Sequence, residues 1–355
     1  MIRQHLTGAM VLGFSALLSM GGAAPQDSFT VMTWNLYVGA DTAPILASPS
    51  MQEMASRADA AWRTMESTRF EERVIAIADQ IAAHRPHLIG LQEVSLLRVQ
   101  SPGDRMEGGM EPATTVVYDF EKTLMSELAS RGLDYRVVSR VQNADVEVPR
   151  ANETRDDVRL TDHDLILARG DVEAEPALKG NYQAALSLPF PDGKSNLTVN
   201  RGYTLVNVNL LGQEAVFVNS HLEISALEPL QAMQAKELMT ILGSRSEPIL
   251  LVGDFNSRPE GGASYDLMMQ SGYRDVWNDR IGPEELGLTC CQAADLSNKD
   301  SNLVERIDLV LTRNDSDWLS QEVQAWVVGN QPEDQTSGGL WPSDHAGVVV
   351  QFSVK

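Results

Sequence analysis

Residues 248–256 read Pro248-Ile-Leu-Leu-Val-Gly-Asp-Phe-Asn256. The run from Pro248 to Val252 is too short for a buried helix and rich enough in branched side chains for a strand covered on both faces. Gly253 breaks it, and an acid and a carboxamide follow within three residues. The same design recurs on either side of this stretch. Phe29–Leu36 (FTVMTWNL) carries Trp34-Asn35, His87–Gln92 (HLIGLQ) runs into Glu93, and Ala215–Asn219 leads into Ser220-His221. Asp308 lies within the apolar run Arg306–Thr312, and Ser343-Asp344-His345 precedes the strand Gly347–Phe352. Polar groups placed where strands end converge on one rim when the strands share a layered α/β fold.

Between these strands the spacing predicts helices. Met51–His84 reads as one long helix, with Val74, Ile77, Ala78 and Ile81 at helical spacing and Pro86 as its stop. Tyr118–Arg131, closed by Gly132, and Leu227–Leu242, closed by Gly243, are the other two. Further strands fall at Tyr135–Val141, Asp164–Leu167, Thr204–Leu210 and Val323–Val328, and Gly212 between two alternating runs predicts a hairpin. Strands with and without intervening helices indicate mixed sheets, hence an α/β or α+β fold. Ser101–Pro112 and Gln331–Gly339, polar and rich in Gly, Pro and acids, are expected to be disordered. Neither is long enough to divide the chain, so residues 28–353 are expected to form a single domain.

The chain has 355 residues, of which 49 are acidic and 28 basic, for a net charge of −21. A surface of that sign repels a phosphate chain, which argues against a protein that coats nucleic acid. It leaves open an enzyme whose metal neutralises charge at the site. Glu93, Asp254, Asp308 and Asp344 are hard oxygen donors suited to Mg²⁺, Mn²⁺ or Ca²⁺ rather than zinc. Asn35, Asn256, His221 and His345 could donate hydrogen bonds to a pentavalent phosphorus, and a carboxylate could orient the attacking water. Asp308 behind His345 is a natural pair, since a buried carboxylate needs a partner. The chain has no phosphate-cradling Gly-rich loop, His-Glu-x-x-His helix or Gly-x-Ser-x-Gly elbow.

Thr33-Trp-Asn35, Leu91-Gln-Glu93, Asn219-Ser-His-Leu222, Gly253-Asp-Phe-Asn256, Arg306-Ile-Asp-Leu309 and Ser343-Asp-His345 occur in this order over most of the chain. In that order they resemble the motifs of the endonuclease/exonuclease/phosphatase superfamily, the group similar to DNase I, exonuclease III and the bacterial sphingomyelinases. The resemblance implies a DNase I-like four-layer sandwich, two mixed β-sheets flanked by helices, with the site on one rim. It further implies that Glu93 binds Mg²⁺, with Asn35 and Asp344 helping to hold metal or phosphate. By the same likeness Asp254 orients the water, Asn256 and His221 contact phosphate, and Asp308 pairs with His345, which stabilises the transition state. Arg201 and His163 are further candidates for substrate binding. Tyr37 stands where many nucleases of the group carry an acid, the nearest acid being Asp41, and Tyr118 is a weak counterpart of a tyrosine found in exonuclease III-type enzymes.

Residues 1–23 read as a cleavable export signal, with Arg3, an apolar core Ala9–Leu18 and a small-residue zone Met20–Ala24. The apolar run is too short to span a bilayer, and no other segment qualifies, so the expectation is a secreted or periplasmic protein with no transmembrane segment and no stable protein partner. The two cysteines, Cys290 and Cys291, are adjacent, and the expected role is to stabilise a loop. His84 and His87, flanking Pro86, are expected at the surface. The function expected is a metal-dependent phosphodiesterase acting on nucleic acid, a phospholipid head group or a small phosphodiester. Its alternatives are a nonspecific extracellular nuclease, a sphingomyelinase-like lipid phosphodiesterase, for which Trp341 or Tyr182 would have to be exposed, and a non-catalytic binding module.

Overall fold

The computed structural model describes residues 28–354 apart from 283, 316 and 317, and for 320–322 the backbone only. The export segment at residues 1–23 lies outside the described residues. In chain order the first strands are β1 (Ser28–Asn35), β2 (Leu88–Gln92), β3 (Leu96–Gln100), β4 (Thr115–Asp119), β5 (Tyr135–Pro149), β6 (Asp157–Arg169), β7 (Glu173–Asn181) and β8 (Leu186–Pro189). The remainder are β9 (Asn196–Val199), β10 (Gly202–Leu210), β11 (Gln213–His221), β12 (Ile249–Asp254), β13 (Arg274–Asp275), β14 (Asp308–Arg313), β15 (Leu319–Val328) and β16 (Gly347–Val354). One ten-stranded sheet runs β15-β16-β1-β2-β6-β5-β9-β8 with β3 and β4 branching from β6. A six-stranded sheet runs β13-β14-β12-β11-β10-β7. Both are mixed, since β1 pairs parallel with β2, and β11 parallel with β12, amid antiparallel neighbours.

Three apolar interfaces stack four layers. Phe29, Val31 and Leu88 of the large sheet meet Phe217, Leu250 and Val252 of the small one between the sheets. The other face of the large sheet, with Met32, Trp34 and Leu91, packs on helices α2 (Met51–Ser67), α3 (Phe70–His84) and α4 (Phe120–Ser130), which follow the short α1 (Ala43–Leu46). The other face of the small sheet, with Leu205, Val218 and Leu251, packs on α5 (Glu228–Gly243) and α6 (Ala263–Gln270). The expected DNase I-like sandwich is therefore the observed one.

Local rules explain most boundaries. The hairpin at Gly212 forms with Leu210 opposite Gln213, and both turn residues, Leu211 and Gly212, have positive φ, the geometry that matches strand twist. The single helix expected over Met51–His84 is two. Thr68 is buried with its hydroxyl donating to the Met65 and Gly39 carbonyls, Arg69 takes a left-handed φ of 42°, and the chain turns into α3. Strands β5 and β6 are far longer than the runs Tyr135–Val141 and Asp164–Leu167, because their distal halves pair with each other in spite of polar composition. The two stretches expected to be disordered take defined turns. The Asp157 carboxylate accepts from Asp104 N and Arg105 N, and Gln80 donates to Asp334. His84 and His87 are half-buried rather than exposed: the His84 ring packs 5.2 Å from Trp326, and His87 Nδ1 accepts from Thr30 N at 3.0 Å.

Candidate active site

Strand register assembles the polar groups. In the small sheet Gly202 pairs with His221, His221 with Asp254, and Asp254 with Asp308, a continuous row across four strands. In the large sheet Asn35 pairs with Gln92 one residue before Glu93. The two rows face each other at one rim. Asn35 Nδ2 bridges them, donating to Glu93 Oε1 at 3.2 Å and to Asp254 Oδ2 at 3.0 Å. Gly253, expected to break the strand, lies within β12 and lets it pass close to β11: its φ is 151°, and a Cβ there would sit 1.9 Å from the Ser220 carbonyl oxygen.

The residues named from the sequence are gathered on this rim. Asp254 is buried and accepts from Asn256 N at 2.9 Å, while the Asn256 amide lies 3.3 Å from His221 Nε2 and donates to the Leu222 carbonyl at 3.0 Å. His345 Nδ1 sits 2.8 Å from Asp308 Oδ2, the expected pair, and His345 Nε2 is 3.8 Å from Asp254 Oδ2. His221 Nε2 is 3.5 Å from the same Asp254 oxygen. Glu93 has a left-handed φ of 56°, and its Oε2 accepts from Val38 N at 2.9 Å. Asp344 neighbours Glu93 and Asp254 closely enough for each to push its carboxyl further toward neutrality.

Electrostatics divide the site. Burial, reinforced by Asp308, raises the Asp254 carboxyl to about 7, and burial, with Glu93 adding, raises Asp344 to about 7. Burial opposes charge on His345, yet Asp308, Asp254 and Asp344 together hold its pKa well above the ordinary imidazole value. His221 is pushed well down, first by burial and then by Arg201 and His345, and stays neutral. Crowded carboxylates whose charge is costly suit a divalent cation. Asp344 Oδ1 is buried with no hydrogen-bond partner, and together with Glu93 it offers the hard oxygens such an ion takes. The residues fit the metal.

Other candidates are separated from this row. Arg201 reaches the rim but is engaged, with Nη2 donating to Glu223 Oε1 at 3.2 Å and Nη1 within 3.1 Å of both His221 ring nitrogens. His163 lies between Asp162 and Asp164 on β6, so its side chain takes the opposite face of the sheet, where Nδ1 lies 3.2 Å from the Val94 carbonyl oxygen. Asp41 is exposed and accepts from Ala43 N at the start of α1, and Tyr118 packs on Trp62. Tyr182 and Trp341 are 2% and 0% exposed, which removes them as membrane-entering side chains. Cys290 and Cys291 form a disulfide whose Cys291 Sγ is 4.0 Å from His345 Nε2, so this loop borders the site.

Sequence reasoning missed three supports. Arg73 is fully buried in α3, donating to the carbonyls of Leu36, Tyr37, Thr68 and Pro342, and so clamps the segments that carry Asn35 and Asp344. Asn219, two residues before His221, ties the sheets: its amide donates to the Leu91 and Leu165 carbonyls, and its oxygen accepts from Gln92 at 2.6 Å. Asp162 and Asp164 are two further buried acids, Asp164 Oδ1 lying 3.9 Å from His221 Nδ1. An arginine in a helix and an acid in a strand carry no local mark of burial. Only the position of Asn219 within its motif could have signalled its role.

A family model described as Endonuclease/Exonuclease/phosphatase family matches residues 32–345, and the chain belongs to that family. Those names all describe hydrolysis of phosphoesters, so the protein is a phosphoesterase of a family whose enzymes use a divalent metal. Among solved structures it is similar to an endonuclease/exonuclease/phosphatase family protein from Leptotrichia buccalis, at 16% identity over 92% of this chain and 99% of that one, TM-score 0.52. It is similar to a Bacteroides thetaiotaomicron mannosyl-6-phosphatase, at 18% identity over 91% and 99%, TM-score 0.51. It is also similar to a humanized D. rerio TDP2, at 15% identity over 92% and 99%, TM-score 0.51. These likenesses are of fold. No curated protein matches the chain.

Proposed function

We propose that the protein is an exported phosphodiesterase in which a metal-assisted water attacks phosphorus at the rim where the two sheets meet. The observation that carries this reading is the row His221–Asp254–Asp308 in register, with His345 tied to Asp308 and Asn35 bridging to Glu93. When bound by Glu93 and Asp344, the metal supplies Lewis-acid polarisation of a phosphoryl oxygen. The chain's own residues supply the rest. Asp254, held by Asn35 and Asn256, orients the water and receives its proton. His345, kept cationic by Asp308, presents Nε2–H to the charge that develops on phosphorus. Neutral His221 and the Asn256 amide donate to a further oxygen, each such donor being worth roughly 3 kcal/mol in comparable sites.

The charge of the rim favours a diester over a monoester. A monoester arrives as a dianion and would draw on a guanidinium beyond His345 and the metal, whereas Arg201 is already engaged by Glu223. A diester brings one negative charge. The overall charge of −21 also weighs against a nonspecific nuclease, because a DNA chain would meet an acidic surface. The lipid-headgroup reading keeps one observation, the β3–β4 arm, which exposes Met110, Val116 and Val117. The function test is a panel with Mg²⁺ or Mn²⁺ and a chelator control: a bis-aryl phosphate, an aryl monophosphate, plasmid DNA and sphingomyelin vesicles. Preferred turnover of the small diester supports this reading, and exclusive turnover of the monoester overturns it. Export rests on the sequence of residues 1–23, and a mature N-terminus near Ala23 in protein collected outside the cytoplasm is its test.

A further inference from the structure

The pair Asp308–His345 is drawn from two different layers. Asp308 opens β14 in the small sheet, whereas His345 belongs to the segment that leads into β16 in the large sheet. Ladder hydrogen bonds hold β14 and β16 within their own sheets, and the apolar contact between the sheets is non-directional. Neither sets the 2.8 Å between His345 Nδ1 and Asp308 Oδ2. A third piece of chain runs between the two. Cys290 forms antiparallel bridges with Glu305 on one side and with His345 on the other. Its disulfide to Cys291 joins adjacent residues and so ties no two elements together. The tie falls to the residue before it.

Thr289 is fully buried and touches the backbone on both sides. Its Oγ1 accepts from Ile307 N at 3.1 Å and from Asp308 N at 3.2 Å. Its carbonyl oxygen accepts from Ala346 N, next to His345, at 2.8 Å, and its own N–H donates to the Glu305 carbonyl at 2.7 Å. Further along the same segment, Gln292 N donates to the Asp344 carbonyl at 2.8 Å. A hydroxyl oxygen has two lone pairs, and here consecutive amides take both, which fixes how Asp308 enters its strand. The far side of the His345 segment is held independently. Trp34 Nε1 donates to the His345 carbonyl at 2.9 Å, and His345 N donates to Ser343 Oγ at 3.2 Å. With that side fixed, the Thr289 contacts determine how closely Asp308 approaches the ring.

We propose that Thr289 is a positioning residue, whose hydroxyl and carbonyl set Asp308 against His345 across the interface between the sheets. It acts through that pair rather than on the substrate. Its effect on turnover rests on the roles of Asp308 and His345 in the proposed function; the hydrogen bond itself forms whether or not a diester is cleaved. A carboxylate displaced by about one ångström loses its hydrogen bond to the imidazole, and misplacement on that scale lowers a rate by about 10²-fold. Thr289→Val keeps the shape and removes the acceptor of both amides. Thr289→Ser keeps that acceptor and removes only a methyl group.

The test pairs steady-state turnover of a bis-aryl phosphate with Mg²⁺ and the downfield NMR signal of the His345 Nδ1–H proton, assigned by its loss in His345→Gln. Thr289→Val and Thr289→Ala are expected to move that signal upfield or lose it to exchange with water. Both should lower kcat at least about tenfold while KM changes less than about twofold. Thr289→Ser should keep the wild-type signal and rate. An unchanged signal in the two hydroxyl-free variants, or no such signal in wild type, overturns the positioning role whatever the enzyme hydrolyses. Losses in Thr289→Ser equal to those in Thr289→Val overturn it as well, since packing of the methyl group is then responsible. So does unfolding of both hydroxyl-free variants beside a folded Thr289→Ser, because the hydroxyl then serves the fold alone. A displaced signal with undiminished turnover supports the positioning and contradicts the role given to His345 in the proposed function. Should wild type turn over no phosphoester, the proposed function fails and the NMR signal still decides the role of Thr289.

Discussion

His345 and His221 occupy the same rim, both buried, both near Asp254 Oδ2, and they carry opposite charge states. Behind His345 stands a carboxylate at hydrogen-bond distance, Asp308 at 2.8 Å, and the imidazole is cationic. Behind His221 the carboxylate is Asp164 at 3.9 Å, Arg201 presses on the ring, and the imidazole is neutral. Burial pushes both rings toward neutrality; at His345 Asp308, Asp254 and Asp344 outweigh it, whereas at His221 Arg201 and His345 add to it. Environment sets the role.

The strongest way to break this comparison is to remove the charge behind each ring. Asp308→Asn is expected to lower kcat on a diester by about 10³-fold, the scale on which a carboxylate that holds a catalytic imidazole acts. Asp164→Asn is expected to lower it by about tenfold, because burial, Arg201 and His345 keep His221 neutral with or without that acid. Steady-state kinetics on the two variants decides the matter, and equal losses would show that the two sides work alike.

Beneath the His221 side, Asn219→Ala is expected to reduce unfolding free energy by about 2–3 kcal/mol in urea denaturation. The substitution removes three buried hydrogen bonds and leaves the Gln92 amide with Thr33 Oγ1 as its remaining acceptor. A loss near zero would mean that the apolar interface between the sheets holds them without this tie.

The catalytic strands were legible because each is a short apolar run that ends abruptly in polar residues, and such ends lie on one rim in a layered sheet. Trp34-Asn35 and PILLV with Asp254 fall where their sequence places them, while Asp308, expected inside its strand, is the first residue of β14. What stayed hidden depends on partners far away in the chain. Arg73 looks like any arginine on a helix until Leu36 and Pro342 bring their carbonyls to it. Asp162 and Asp164 sit in a polar stretch whose pairing with β5 could not be read locally. The break at Thr68 likewise needs Gly39 to accept its hydroxyl.

The smallest expected effect sharpens the same contrast away from the rim. His87, like His221, is an imidazole pushed down by burial and an arginine; burial and Arg169 depress its pKa to about 4 while its Nδ1 accepts from Thr30 N. The unfolded chain therefore binds more protons between pH 6.5 and 4, so this contribution is intact above pH 6.5 and is lost as pH falls through that window. For a half-buried ring, screened by solvent, the loss is about 1 kcal/mol. Urea midpoints across that range should fall more for wild type than for His87→Asn, and parallel curves would show that His87 is not the group involved.

The central claim is that folding gathers Asp254, Asp308 and His345 beside the divalent cation that Glu93 and Asp344 would hold, to hydrolyse a phosphoester. Turnover of a bis-aryl phosphate should vanish on chelation, return with Mg²⁺ or Mn²⁺, and fall by at least about 10³-fold in Asp254→Asn that keeps the wild-type melting profile. Turnover unchanged by the chelator, or by Asp254→Asn, would contradict it.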